Sequence, residues 1–138
     1  MRQALATVSL LVPSYDAGLR FYVDVLGFRL VEDTPLGGGK RWVTVEPPGD
    51  GGARLLLAEP STPEQAATIG RQAGGRVFLF LETDDFWRDH RRYLAAGVTF
   101  IEQPRSEAYA TVAVFQEHSL SMAKTPFASH DYKAYQEN

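Results

Sequence analysis

Val8–Pro35, VSLLVPSYDAGLRFYVDVLGFRLVEDTP, reads as strand, helix, strand, and its grammar returns at Val77–Pro104, VFLFLETDDFWRDHRRYLAAGVTFIEQP. Val8, Leu10 and Val12 fall opposite Val77, Leu79 and Leu81, and Ser14-Tyr15-Asp16 opposite Thr83-Asp84-Asp85. Gly27 falls opposite Gly97 after a slip of one residue. Val43 and Val45 fall opposite Val112 and Val114 at the offset of the first strands. The period is too long for a solenoid, so it marks a duplicated half-domain.

Outward from the first copy, Val8, Leu10 and Val12 make an aliphatic strand face, with Thr7, Ser9 and Leu11 on the other. Ser14 is a helix N-cap, and Leu19, Tyr22, Val23 and Leu26 give one apolar stripe. Gly27 closes the helix in the left-handed conformation. Residues 28–33, 41–46 and 53–58 read as strands, with Pro35–Lys40, which contains Gly37-Gly38-Gly39-Lys40, and the 47–52 segment as turns. The glycine run lacks the spacing of a phosphate loop. Residues 61–72 read as a linker with one short helix, capped by Ser61 or Thr62 with Pro63 at its first position. In the second copy, 76–81 reads as a strand and Thr83 as the cap of a helix with Asp84 and Asp85 in its first turn. Phe86, His90, Tyr93 and Leu94 form its inner stripe, and Gly97 ends it. Residues 98–102 and 110–115 read as strands, 120–124 as a weak one, and the polar tail as a short helix or a frayed end. Each half is then one helix on about four strands.

Composition narrows the function. The 138 residues, 44% hydrophobic and 12% aromatic, suffice for a packed core. A net charge of −3 without a basic stripe argues against a nucleic-acid partner. With no cysteine, disulfides, thiol nucleophiles and thiolate metal sites are excluded. No apolar run reaches the roughly 20 residues of a membrane span, and the first residues lack a signal-peptide pattern, so a cytoplasmic protein is expected.

The aliphatic strand faces should meet the helices, which leaves a second, mixed face: Thr7, Ser9 and Leu11; Trp42, Thr44 and Glu46; Arg76, Phe78 and Phe80; Thr111, Ala113 and Phe115. A mixed, aromatic-rich face is what a small-molecule cavity looks like, with a second core or a dimer contact as the alternative. Arg76 is a candidate anion hook or a solvent-facing strand end. Trp42, Phe78, Phe80 and Phe115 are candidates for an aromatic cage or for packing. His90 reads as packing rather than as a base. Glu117, His118 and His130 match no standard metal spacing.

The phrase YDAGLRFYVDVLGF, from Tyr15 through Phe21-Tyr22 to Leu26-Gly27-Phe28, resembles the first helix of the vicinal oxygen chelate superfamily, which covers glyoxalase I, bleomycin-resistance proteins and extradiol dioxygenases. The resemblance runs from Leu5 to Phe115. It implies an α+β fold of two βαβββ modules in a curved mixed sheet with a concave ligand cavity. The modules would be 4–60 and 75–125 of a single domain over 1–138, with a linker at 61–74 and a tail at 126–138. Enzymes of the superfamily hold a metal on four strand positions filled by His, Gln or Glu. Here three of those positions fall on Thr7, Leu56 and Arg76, and the fourth has no carboxylate between His118 and Lys124. The expectation is therefore no metal and no cofactor. The expected ligand is a small molecule, aromatic or anionic, held by Thr7, Ser9, Trp42, Leu56, Arg76, Phe78, Phe80 and Phe115. A homodimer is expected from the family. The alternatives are a metal-dependent lyase, isomerase or dioxygenase with divergent ligands, which would draw on Glu46 or His118, and a dimeric interaction module without a ligand.

Overall fold

A computed structural model describes residues 1–49, 51–106, 108, 111–116 and 124–129, with residues 116 and 124–129 described through their backbone alone. The chain forms two compact units, Met1–Ile69 and one that begins at Gly70. The fold is α+β. Among the described residues, no helix is long and apolar enough to cross a membrane.

The first unit runs β1 (Thr7–Leu11), α1 (Tyr15–Leu19) with a π-helical continuation (Arg20–Val25), β2 (Arg29–Gly37), β3 (Lys40–Glu46), β4 (Arg54–Ala58) and α2 (Pro63–Thr68). Its sheet has the order β1-β4-β3-β2, with β1 parallel to β4 and the other pairs antiparallel. Ser14 caps α1, its hydroxyl accepting from the Ala17 amide at 3.0 Å. Gly27 closes the helix at φ 81°, a conformation that a side chain would strain. Thr62, not Ser61, caps α2, with Pro63 at the first helical position.

The apolar stripe of the first helix differs from the regular spacing. The Leu26 amide reaches back to the Phe21 carbonyl at 2.9 Å, five residues rather than four. That wider turn carries both Phe21 and Tyr22 inward, while Leu19 and Val23 are half-buried. Phe21, Tyr22 and Phe28 form an aromatic cluster, with ring centroids 5.1 Å apart for the first pair and 5.6 Å for Tyr22 and Phe28. Leu10, Val43 and Leu57 bury the aliphatic sheet face. A methyl group placed on Gly18 would sit 3.0 Å from Leu57 Cδ1 and 3.1 Å from a Val12 methyl, so α1 lies on that face at glycine range. Arg41 on β3 ties the helix start to the hairpin: it donates to both Asp33 oxygens and to Asp16, and its guanidinium lies 5.2 Å from the centre of the Tyr15 ring. Hydrogen bonding from Arg41 holds the Asp33 carboxyl below the usual range.

The second unit contains α3 (Phe86–Ala95), β5 (Thr99–Ser106), β6 (Thr111–Gln116) and β7 (Lys124–Ser129), the strands forming an antiparallel sheet in that order. Four features depart from the sequence reading. Asp85 rather than Thr83 caps α3, accepting from the Arg88 amide at 3.1 Å. The Thr83 hydroxyl is instead committed to Asp89, which turns inward in place of Leu94 and also accepts from Arg88. A buried carboxylate is tolerable there because it is hydrogen-bonded and paired; Leu94 is half exposed. Residues 76–82 form no strand: a strand exists only through its ladder, and this stretch pairs with none of the described strands. The last strand begins at Lys124 and runs to Ser129, beyond the expected start of the tail. Residues 117–123 and 130–138, with Glu117, His118 and His130, lie outside the described residues.

Candidate functional site

The strand register assigns side chains to the face of the first sheet opposite α1. Ser9 pairs with Leu56, Leu56 with Thr44 and Thr44 with Glu32, which makes one row across four strands. Since side chains alternate along a strand, Thr7, Arg54, Glu46 and Arg29 make a row on one side of it. Leu11, Ala58, Trp42 and Thr34 make a row on the other. The face therefore has an aromatic end at Trp42, which is 39% exposed, and a charged end. At the charged end Glu46 accepts from Arg29 Nη2 at 2.6 Å and from Arg54 Nε at 3.3 Å, so two guanidiniums share one carboxylate. Thr7 and Ser9 are exposed and Leu56 is half-buried.

Four expected ligand residues of the first unit, Thr7, Ser9, Trp42 and Leu56, thus share one sheet face. The residue at its centre, Thr44, lies on the expected mixed face but is not among the expected ligand residues. Thr44 is 3% exposed, and its hydroxyl has no hydrogen-bond partner among the described residues. A buried hydroxyl left unsatisfied costs about 1–3 kcal/mol. The signal was present in the alternation of Trp42, Thr44 and Glu46 on one face.

In the second unit Arg76 is exposed, Phe78 half-buried and Phe80 73% exposed. Phe115 is fully buried, with its ring centroid 5.8 Å from those of Tyr93 and Phe100, so it packs the core of its own unit. Burial pushes the Tyr93 hydroxyl up to about 12.

His90 also belongs to that packing. It is buried, its ring lies parallel to Phe86 at 5.8 Å and 4.6 Å from Phe100, and its Nε2 has no partner among the described residues. Desolvation lowers its pKa, since the imidazolium would lose water without gaining a counter-charge at Nε2. A histidine with a depressed folded pKa binds its proton more readily when unfolded, so its contribution to stability is complete above about pH 6.5 and shrinks as pH falls below it. His90→Phe should flatten urea midpoints measured between pH 7 and pH 5; a wild-type slope surviving the substitution would assign the titration elsewhere.

In the first unit, the two strand positions expected of a metal ligand set carry no strong donor. A leucine at 56 offers no lone pair and Thr7 only a neutral hydroxyl, while the Arg54 cation stands beside Thr7 in the register. Both oxygens of Glu46 are already held by arginines. Among the described residues, no group of three His, Cys, Asp or Glu is placed to hold a metal ion.

The family model of the glyoxalase/bleomycin resistance protein/dioxygenase superfamily matches residues 4–127. The chain belongs to that superfamily. An uncharacterized protein of Shewanella frigidimarina is 52% identical over 118 residues, 85% of this chain and 87% of the relative. Among solved structures of the superfamily fold, UcmS2 matches with a TM-score of 0.77 and 27% identity over 95% of this chain and 99% of its own. TnmS3, described as an antibiotic binding protein from Streptomyces sp. CB03234, matches with a TM-score of 0.75 and 25% identity over 94% of this chain and 97% of its own. The resemblance seen in YDAGLRFYVDVLGF is therefore a family relationship. Membership in the glyoxalase/bleomycin resistance protein/dioxygenase superfamily leaves the activity open, because one fold hosts many functions and the site decides between them.

Proposed function

We propose that this protein binds a small organic molecule without a metal and holds it without chemical conversion. The observation that carries the reading is the first-unit sheet face: it offers Trp42, hydroxyls and guanidiniums, and at Thr7 and Leu56 no cation ligands. The likeness to an antibiotic binding protein supports the same role. The ligand class is aromatic or anionic, with Thr7, Ser9, Trp42 and Leu56 contributing from the first unit. Arg76, Phe78 and Phe80 are the candidates of the second. A homodimer, which light scattering would detect, belongs to the same proposal.

The test is a binding screen on protein treated with chelator and dialysed, read by calorimetry and tryptophan fluorescence over aromatic acids and polycyclic antibiotics. Binding should survive metal removal and weaken about tenfold or more in Trp42→Leu, the loss of one stacked aromatic contact with its buried area. Stoichiometric zinc, nickel, manganese or iron in purified protein, with turnover lost on its removal, would replace this reading with the metal-dependent enzyme. A folded protein that binds nothing on the panel and dimerises through this face would be an interaction module instead.

A further inference from the structure

Thr44 poses a specific question. Its hydroxyl has no partner among the described residues and is buried at the centre of the sheet face, where valine would fill the same space without stranding a polar atom. Its neighbours on that face narrow what would satisfy it. Two residues along β3 in one direction stands the half-exposed ring of Trp42, and two in the other Glu46 with its pair of arginines. At about 3.4 Å per residue, the ring end and the charged end lie roughly 13–14 Å apart, with Thr44 midway. Among the described residues the charged end is cationic on balance, two guanidiniums to one carboxylate. Arg29 spends Nη2 on Glu46 and on the Gly49 carbonyl. Arg54 uses Nε for Glu46, which leaves both terminal nitrogens without an ion pair or hydrogen bond among the described residues, and its side chain is 49% exposed. A guanidinium anchored by Nε presents its outer edge to an incoming carboxylate.

We infer that Thr44 and Arg54 select the ligand: an aromatic carboxylate whose ring lies on Trp42, whose hydroxyl or carbonyl oxygen accepts from Thr44, and whose carboxylate is taken by Arg54. The inference rests on the binding reading above and adds to it the chemical class and two determinants. It accounts for a polar atom that costs the empty protein stability and is repaid only on binding.

The probes are 3-hydroxy-2-naphthoate, which has ring, hydroxyl and carboxylate, together with 2-naphthoate and 2-naphthol, each of which lacks one group. Calorimetry on metal-free wild type should rank the first tightest. Thr44→Val should weaken 3-hydroxy-2-naphthoate about tenfold, the worth of a hydrogen bond that satisfies a buried group, and leave 2-naphthoate unchanged. Thr44→Ser, which keeps the hydroxyl, should restore binding. Thr44→Val should also raise the urea midpoint of the empty protein, so weaker binding cannot be charged to unfolding. Arg54→Gln should weaken both carboxylates about fivefold, more at low salt, and leave 2-naphthol unchanged. If binding depends on Trp42 yet ignores both Thr44→Val and Arg54→Gln, the inference falls and the binding reading stands. If wild type binds none of the three probes at millimolar concentration, the inference falls as well, and the wider panel decides the binding reading separately.

Discussion

Phe115→Ala should lower the free energy of unfolding by about 4 kcal/mol, the range for a fully buried aromatic truncated to a methyl. The ring is wholly inaccessible and meets Tyr93 of α3 and Phe100 of β5, the strand partner directly opposite it. Removing it leaves a cavity where helix and sheet meet, and those two rings lose their shared neighbour. Urea denaturation followed by near-ultraviolet circular dichroism checks this. The midpoint should drop with little change in slope, because the surface exposed on unfolding is nearly the same. Phe115→Leu, which keeps most of the volume, should recover more than half of the loss. A Phe115→Ala protein of unchanged stability but altered ligand affinity would move this ring from the core to the binding surface.

Leu57→Ala should cost about 3 kcal/mol, and its neighbour Leu56→Ala only about 1 kcal/mol. The two differ by one position and therefore by a whole sheet face. Leu57 is 1% exposed, pairs with Val43 and approaches α1 so closely that a methyl group on Gly18 would sit 3.0 Å from its Cδ1. Leu56 is half-buried beside Ser9 and Thr44 on the other side. Thermal unfolding of the two variants gives the comparison directly, and ligand affinity should move the opposite way, with Leu56→Ala the more affected. Equal losses of stability would mean that both faces of β4 are packed core, leaving no surface for a ligand in the first unit.

Where one residue type has one dominant local use, the sequence was read correctly. Ser14 and Pro63 open helices, and Gly27 and Gly97 close them at φ 81° and 90°. The alternation of Val43 and Val45 located the aliphatic face, since a buried sheet face admits little else. Reading failed where two neighbours could do the same job. Thr83 and Asp85 are both competent caps, and the choice turned on Asp89, which claims the threonine hydroxyl from a full turn further on. Leu94 and Asp89 exchanged places on α3 for the same reason: a carboxylate with partners can face inward, and periodicity counts only hydrophobicity. The ladder of 76–81 depends on a partner distant in sequence, which local patterning does not contain. Thr44 stands on the expected mixed face but not among the expected ligand residues, because threonine is ordinary in strands; only its burial without a partner among the described residues sets it apart.

The π-helical turn has a consequence for the length of the first helix. From cap to closing glycine, Ser14–Gly27 is one residue longer than Asp85–Gly97. A regular helix would absorb an inserted residue by rotating everything beyond it by about 100°, swinging its inner side chains off the sheet. Widening a single turn confines the disturbance, so Leu26 and Phe28 stay buried beyond it. Deleting one residue within Arg20–Val25 should therefore convert the segment to ordinary α-helix and keep the fold, whereas a deletion within Phe86–Ala95, which has no such slack, should not be tolerated.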